Sequence, residues 1–470
     1  MKTANILLNN IYYDLYYDGT ATVTSVLQCP SQIEIPATVT YREEEYSVTT
    51  IGREAFKGSV SLESIKIPKS VDEIGEGAFS GCTNLTNIKI PKSIVFIKCH
   101  TFYQCSSLTS IEIPNSVAEI GYYAFAYCTR LTNIKIPNSV TTIESHAFCD
   151  CRGLTSIKIP NSVSEIEGSA FFGCTRLTSI KIPCSVTTIQ DKAFSDCPNL
   201  ISIDVAKNSK YFTQQEGVLY DKELTTLLVY PCGKQNKEFK IPNSVTTIGG
   251  GAFKGCTNLR SIQIPNSVTT IEGEAFNGCS GLTSIEIPNS VSEIGACAFY
   301  NCYNLTSIRI PNSVSEIGAC AFYTCYNLTS IQIPNTVTTI GEFAFCFCSS
   351  LTSIEIPDSV SELEFSAFEG CTSLTSIQIP NSVTTIGKYA FQDCTSLTSI
   401  QIPDSVTTIG DNAFEGCSGL TSIEIPNSVS EISAEAFKDC TSLTSIKIPK
   451  STTIGDNAFE GCTKLKIIYK

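Results

Sequence analysis

Histidine occurs only twice in 470 residues, and charged side chains make up only 16 % of them. Two imidazoles, His100 and His146, leave one conceivable metal set: His146 with Cys149 and Cys151. That spacing matches no established zinc pattern, so no metal site is expected. A nucleophile elbow, a phosphate-binding glycine loop and an HExxH pair are all missing. Every Ser, Asp or Glu that could do chemistry sits in a repeated, substitutable position, so neither a catalytic residue nor a cofactor site is expected, and the chain reads as no enzyme. Basic residues are outnumbered, 32 Lys and Arg against 45 Asp and Glu, for a net charge of −13. Such a balance argues against nucleic acid and against anionic lipid as the main partner, and it favours solubility. No apolar run approaches the roughly 20 residues needed to span a bilayer, so membrane insertion is not expected. The opening segment MKTANILLNN has no apolar core of signal-peptide length.

What the chain does have is a period. CTNLTNIKIPKSIVFIKCHTFYQ begins at Cys82, CSSLTSIEIPNSVAEIGYYAFAY at Cys105 and CTRLTNIKIPNSVTTIESHAFCD at Cys128, a repeat of 23 residues. The same cysteine recurs to Cys197, again from Cys256 to Cys440, and last at Cys462. Self-similarity at this period signals a solenoid, whose units bury their apolar faces only against their neighbours. Function is then expected on an extended surface and not in a closed pocket. Of the 24 cysteines, sixteen hold this one position. Coils about 5 Å apart bring them within disulfide distance, but side chains pointing the same way make poor disulfide geometry. A ladder of buried thiols is expected instead.

One coil, LTSIEIPNSVSEIGACAFYNC over residues 282–302, shows the path. Ile285 and Ile287 alternate with Glu286, the pattern of a strand with one inward face. Pro288 ends that strand, Asn289 and Ser290 turn the chain, and Val291 to Ile294 form a second short extended stretch. The Ala-Phe segment is too short for a helix and is expected to be a 3₁₀ turn. Phenylalanine recurs in every such turn from Phe56 to Phe459, marking an inward ladder. Glycine follows the second-stretch isoleucine in ten coils, but Lys98, Glu144, Gln190 and Ser433 show that it is favoured without being obligatory. A mainly β solenoid, curved, with two short strands and a 3₁₀ turn per coil, is therefore expected over residues 46–470. Residues 1–45 break the period with IYYDLYYDGTATVTSV, a β-hairpin cap over the first coil. A second break at about 205–240 contains GVLYDKELTTLLVYP, read as a hairpin turning at Asp221-Lys222 and projecting from the stack.

Two surfaces stand out as candidate partner sites. Lys66, Lys89, Lys135, Lys158 and Lys181 dominate the first third of the outward column on the main sheet, a basic strip that could seat an acidic partner or simply keep a strand face solvated. Tyr300, Tyr303, Tyr323, Tyr326, Phe343 and Phe347 crowd the turn edge of three consecutive coils, where exposed aromatics suit partner contact; repeat drift is the alternative. A Ser/Thr ladder beside the lysine column reads as structural, through cross-strand hydroxyl pairs.

The pattern LTSIxIPNSVTTIGxxAFxGC resembles the BspA-like, or Treponema pallidum-type, leucine-rich repeat family over roughly residues 46–470. YYDG…ATVTS and GVLYDK…LLVYP are similar to features of that family. The resemblance implies a leucine-rich repeat solenoid with a second sheet opposite the main one, and no catalytic residues. It also implies microbial surface proteins that adhere to host matrix proteins, epithelial cells or other microbes. A monomeric, noncatalytic adhesin at the cell surface, or secreted, is thus expected, with a protein ligand. The chain shows no leader, lipid-attachment site or sorting tail, which keeps open a cytoplasmic scaffold or effector using the same faces.

Overall fold

The computed structural model describes residues 2–470. They form two compact units: one runs to Glu223 and takes in Val229–Lys234, and the other comprises Leu224–Leu228 and Gln235–Lys470. Each unit is built from parallel ladders that advance by one coil at every step. In the second unit Ile285 lies beside Ile308 and then Ile331, with Glu286, Arg309 and Gln332 alongside. Ile294, Ile317 and Ile340 form the other ladder. The first unit repeats this with Ile111 beside Ile134, and with Ile120, Ile143, Ile166 and Ile189 in line. Branched isoleucines suit the pleat and pack inward on both strands. Pro288 has no N–H to continue the first strand. Its carbonyl accepts from Val291 N–H at 3.1 Å, which closes the turn. The Ser290 hydroxyl then donates to the Val268 carbonyl of the preceding coil at 2.5 Å.

The Ala-Phe segment keeps the i→i+3 spacing of a 3₁₀ turn but is not a continuous one. Ala298, Tyr300 and Cys302 donate to carbonyls three residues back, at 3.1–3.2 Å. The intervening Cys297, Phe299 and Asn301 donate instead to the next coil, at 2.8–3.0 Å. Cys297 and Asn301 are left-handed, with φ of 56° and 60°. The result is a string of tight turns that pairs with its neighbours like a strand.

Inside this turn the phenylalanines stack. Phe322 lies 5.3 Å from Phe299 and 5.4 Å from Phe345, with rings within 3° of parallel. The first unit stacks Phe56 through Phe194 at 5.3–5.6 Å. Centroid distances this large between parallel rings mean offset stacking, the arrangement their quadrupoles favour. Next to the rings run the cysteines. The Cys325 thiol donates to the Phe299 carbonyl at 3.3 Å, and that carbonyl also accepts Cys302 N–H at 3.2 Å. The thiol thus takes the second lone pair of a buried carbonyl. The same bond recurs from Cys82 to Phe56, from Cys151 to Phe125 and from Cys440 to Phe414. Cys256 departs from the expected thiol ladder: it is disulfide-bonded.

Glycine after the second-stretch isoleucine answers to crowding. A Cβ on Gly318 would lie 2.6 Å from the Ala296 nitrogen, and one on Gly75 only 2.5 Å from that of Arg53, while neither residue has positive φ. Where a larger residue stands there, its side chain reaches back one coil. Glu144 accepts from Tyr122 N–H at 2.7 Å, and Glu167 and Gln190 accept from Ser145 and Gly168 N–H at 3.0 Å.

At the amino terminus Lys2–Leu8, Ile11–Tyr16 and Thr20–Val26 form an antiparallel meander that buries Ile11, Tyr13, Leu15, Ala21 and Val23. The third strand runs parallel to Glu44–Ile51, whose Ile51 lies beside Ile74. In the second break, Phe212–Gln215 pairs antiparallel with Val218–Asp221. That reversal, at the left-handed pair Glu216-Gly217 with φ of 51° and 81°, was not placed by the sequence reading, whereas the expected turn follows at Lys222-Glu223. The segment does not project, since Val218, Leu219, Tyr220 and Tyr230 are all buried. Their apolar bulk is the reason: exposing it would forfeit more than the hairpin gains by standing free.

Candidate functional site

The turn edge of the second unit gathers the expected aromatics. Tyr300 and Tyr323 occupy one position of consecutive coils and stack at 4.9 Å with rings 3° apart. Tyr303 and Tyr326 stack at 5.3 Å. Tyr323 meets Phe343 and Phe347 edge-on at 6.3 and 5.8 Å. Tyr303, Tyr326 and Phe347 are 38 %, 45 % and 37 % exposed, a high value for rings already packed on one another. Burial lifts the phenols of Tyr300 and Tyr323 above their ordinary value, so both stay neutral donors at physiological pH. The edge also extends further than the sequence reading had it. Phe343 meets Phe365 at 5.0 Å, Phe365 meets Tyr389 at 5.4 Å, and the Lys388 ammonium lies 5.1 Å from the Tyr389 ring.

A second aromatic cluster, on the first unit, escaped the sequence reading altogether. His100, Tyr123 and His146 hold the same position in three consecutive coils and stack at 5.2 and 4.5 Å. Tyr122 packs edge-on against Tyr123 at 4.3 Å, and Tyr103 meets Tyr127 at 5.5 Å. Aligning the coils by their cysteines would have shown it. Burial, then the Tyr122 hydroxyl, pushes the Tyr123 phenol up to about 12. Burial also holds both imidazoles below their ordinary value and therefore neutral at pH 7. His146 is committed to this stack, while Cys151 donates to the Phe125 carbonyl at 3.1 Å. Among the described residues no three His, Cys, Asp or Glu side chains come together as metal ligands.

All five column lysines are exposed, on first-stretch strands or on the isolated bridges between them. Lys135 stands beside Lys158, and Lys158 beside Lys181. Glu112 separates Lys89 from Lys135, and Asp204 follows Lys181. Lys66 pairs with Glu34. At the start of the column Lys66 and Lys89, with the turn residues Lys69 and Lys92, line a groove of about 1010 Å³. The threonines beside the column do not pair through their hydroxyls as expected. Thr306 donates to the Thr283 carbonyl at 3.2 Å and Thr329 to the Thr306 carbonyl at 3.0 Å, because the backbone oxygen of the preceding coil is the nearer acceptor.

Parallel single-coil ladders, an inward phenylalanine stack and solvent-facing columns define a leucine-rich repeat solenoid, a fold suited to protein–protein interaction. The chain belongs to the BspA type leucine rich repeat family, which matches residues 49–155, 141–216, 229–351 and 338–466 in six copies. It is similar to a leucine rich cell surface protein from Faecalibacterium prausnitzii, at 31 % identity over 89 % of this chain and 99 % of that one, with a TM-score of 0.57. A leucine-rich repeat protein from Eubacterium ventriosum is 26 % identical over 88 % of this chain and 95 % of that one, with a TM-score of 0.55. No curated protein matches the chain. Among the described residues no helix is long and apolar enough to cross a membrane.

Proposed function

We propose that this protein is a noncatalytic adhesin of a microbial surface, contacting a host matrix or cell-surface protein through the aromatic edge of its second unit. The carrying observation is the exposed stack of Tyr303 on Tyr326, flanked by Phe347. Ordered tyrosines lose little entropy on binding and supply both apolar area and a hydroxyl donor. The cell-surface description of the Faecalibacterium relative supports the placement. The amino-terminal meander serves as the cap that covers the first coil, and no residue serves as a catalyst.

The test pairs a location with an affinity. Protease shaving of intact source cells should release peptides of the repeats while a cytosolic control stays whole. Complete protection would favour an intracellular scaffold. Replacing Tyr303 and Tyr326 together with Ala should weaken binding to immobilised matrix proteins or epithelial cells by about 2 kcal/mol or more, with the melting temperature nearly unchanged. Unaltered affinity would dismiss the edge.

A further inference from the structure

We propose that the lysine column of the first unit is a binding track for a linear sulfated polysaccharide, laid along the stack at one sugar ring per coil. Coils in a parallel ladder repeat at about 4.8 Å. Lys135, Lys158 and Lys181 follow one another at that spacing on neighbouring strands, and Lys89 and Lys66 continue the line beyond Glu112. Among the described residues Lys89, Lys135, Lys158 and Lys181 make no ion pair. Four cations therefore stand in solvent, three of them (Lys135, Lys158 and Lys181) in an unbroken row between Glu112 and Asp204, on a molecule whose net charge is −13. Like charges at this spacing repel, and a bound polyanion relieves that repulsion beyond what dissolved salt and the flanking Glu112 and Asp204 do.

Three features select the occupant. An extended acidic peptide places same-face side chains about 6.6 Å apart, so it would slip out of register with the lysines within a few coils. An extended pyranose chain advances by nearly one coil per ring and stays in phase. Single-stranded nucleic acid is bound by basic grooves that also offer aromatic platforms. The groove at the head of this column is lined by four lysines against one carboxylate, Glu34, which pairs with Lys66, together with amides, serines, isoleucines and prolines, and it has no aromatic ring. Beside the lysines, two residues back on each strand, runs a neutral polar row of Asn87, Ser110, Asn133 and Ser179. Anionic substituents on the lysines and ring hydroxyls on this row would satisfy both lines together. The aromatic edge takes no part in this track, so the two sites can fail separately.

Glutamine stands at the equivalent coil position in the second unit, at Gln263, Gln332 and Gln378, so Lys→Gln is a change the repeat accepts. The experiment measures binding of the full chain to immobilised heparin, with dextran, polyglutamate and duplex DNA as competitors. Wild type should bind heparin in a salt-dependent way, and Lys135→Gln/Lys158→Gln/Lys181→Gln should lose about 100-fold in affinity and show a shallower salt dependence. Lys447→Gln, in the second unit, should change nothing. Competition by heparin alone supports the track. Absence of heparin binding, unchanged binding by the triple variant, or equal competition by polyglutamate or DNA would each overturn it.

Discussion

The Phe322 ring packs on Phe299 and Phe345 and is fully buried, so its loss opens a void between two rings that are held by their own coils. Phe322→Ala should cost about 3–5 kcal/mol in a denaturant titration. A loss below about 1 kcal/mol would contradict the inward ladder. The thiols give a pH signature. Burial raises Cys105 well above its ordinary value and Cys128 up to about 12. An unfolded thiol titrates near 8.5, so these groups hold their proton more tightly in the folded state. Their contribution is complete below about pH 8.5 and is lost as pH rises toward the folded-state values. Melting temperature should therefore fall between pH 7 and pH 10, and a flat profile would refute the buried ladder. The imidazoles act with the opposite sign. Burial, and for His146 the Lys192 charge, hold their folded values low, so stability is full above about pH 6.5 and declines on acidification. Thiol-reactive probes should label the half-exposed Cys29, Cys99, Cys184 and Cys320 in the folded protein and reach Cys302 or Cys325 only after unfolding.

At the scale of the element, each coil is shaped by the one before it. Gly318→Ala puts a methyl 2.6 Å from the Ala296 nitrogen, so two strands of the second ladder must part. A loss of about 1–3 kcal/mol is expected, although the local φ is one that alanine adopts freely. Chemical denaturation of the single variant checks it; neutrality would mean that the ladder yields easily at this point. The sequence already showed that glycine here was not obligatory, and it excluded a positive-φ requirement. It did not show the reason for the preference, because the atom in the way belongs to a residue twenty-two positions earlier. The 3₁₀ expectation fell short for a related cause. Local pattern reports a tight turn, but the alternate N–H groups that leave it find their acceptors in the following coil.

For the molecule as a whole, near-identical coils make length adjustable in units of one period. Removing residues 306–328 joins Leu305 to Thr329 and restores every ladder, since each deleted contact has an equivalent 23 residues on. That variant should stay folded, with strand content by circular dichroism proportional to length. Removing only 306–317 puts first-stretch isoleucines opposite turn residues, and aggregation or loss of the cooperative melt is expected. A well-behaved second variant would show that register is not specified by the ladders.

The period, the inward phenylalanine and isoleucine faces, the two strands per coil and the resemblance to the BspA-type repeats could all be read from the chain, because each depends on residues close together or on exact recurrence. The aromatic edge was half legible: Tyr300 to Phe347 stood out as irregular, whereas Phe365, Tyr389 and the His100–Tyr123–His146 stack occupy positions that become neighbours only when coils are superposed. Tertiary structure alone decided what each polar group bonds. A thiol finds a carbonyl 26 residues back, a threonine hydroxyl finds one 23 back, and Glu144 caps a backbone N–H 22 back. Such offsets depend on how far the chain advances around one coil before it returns, a distance set by packing and not by any residue taken singly.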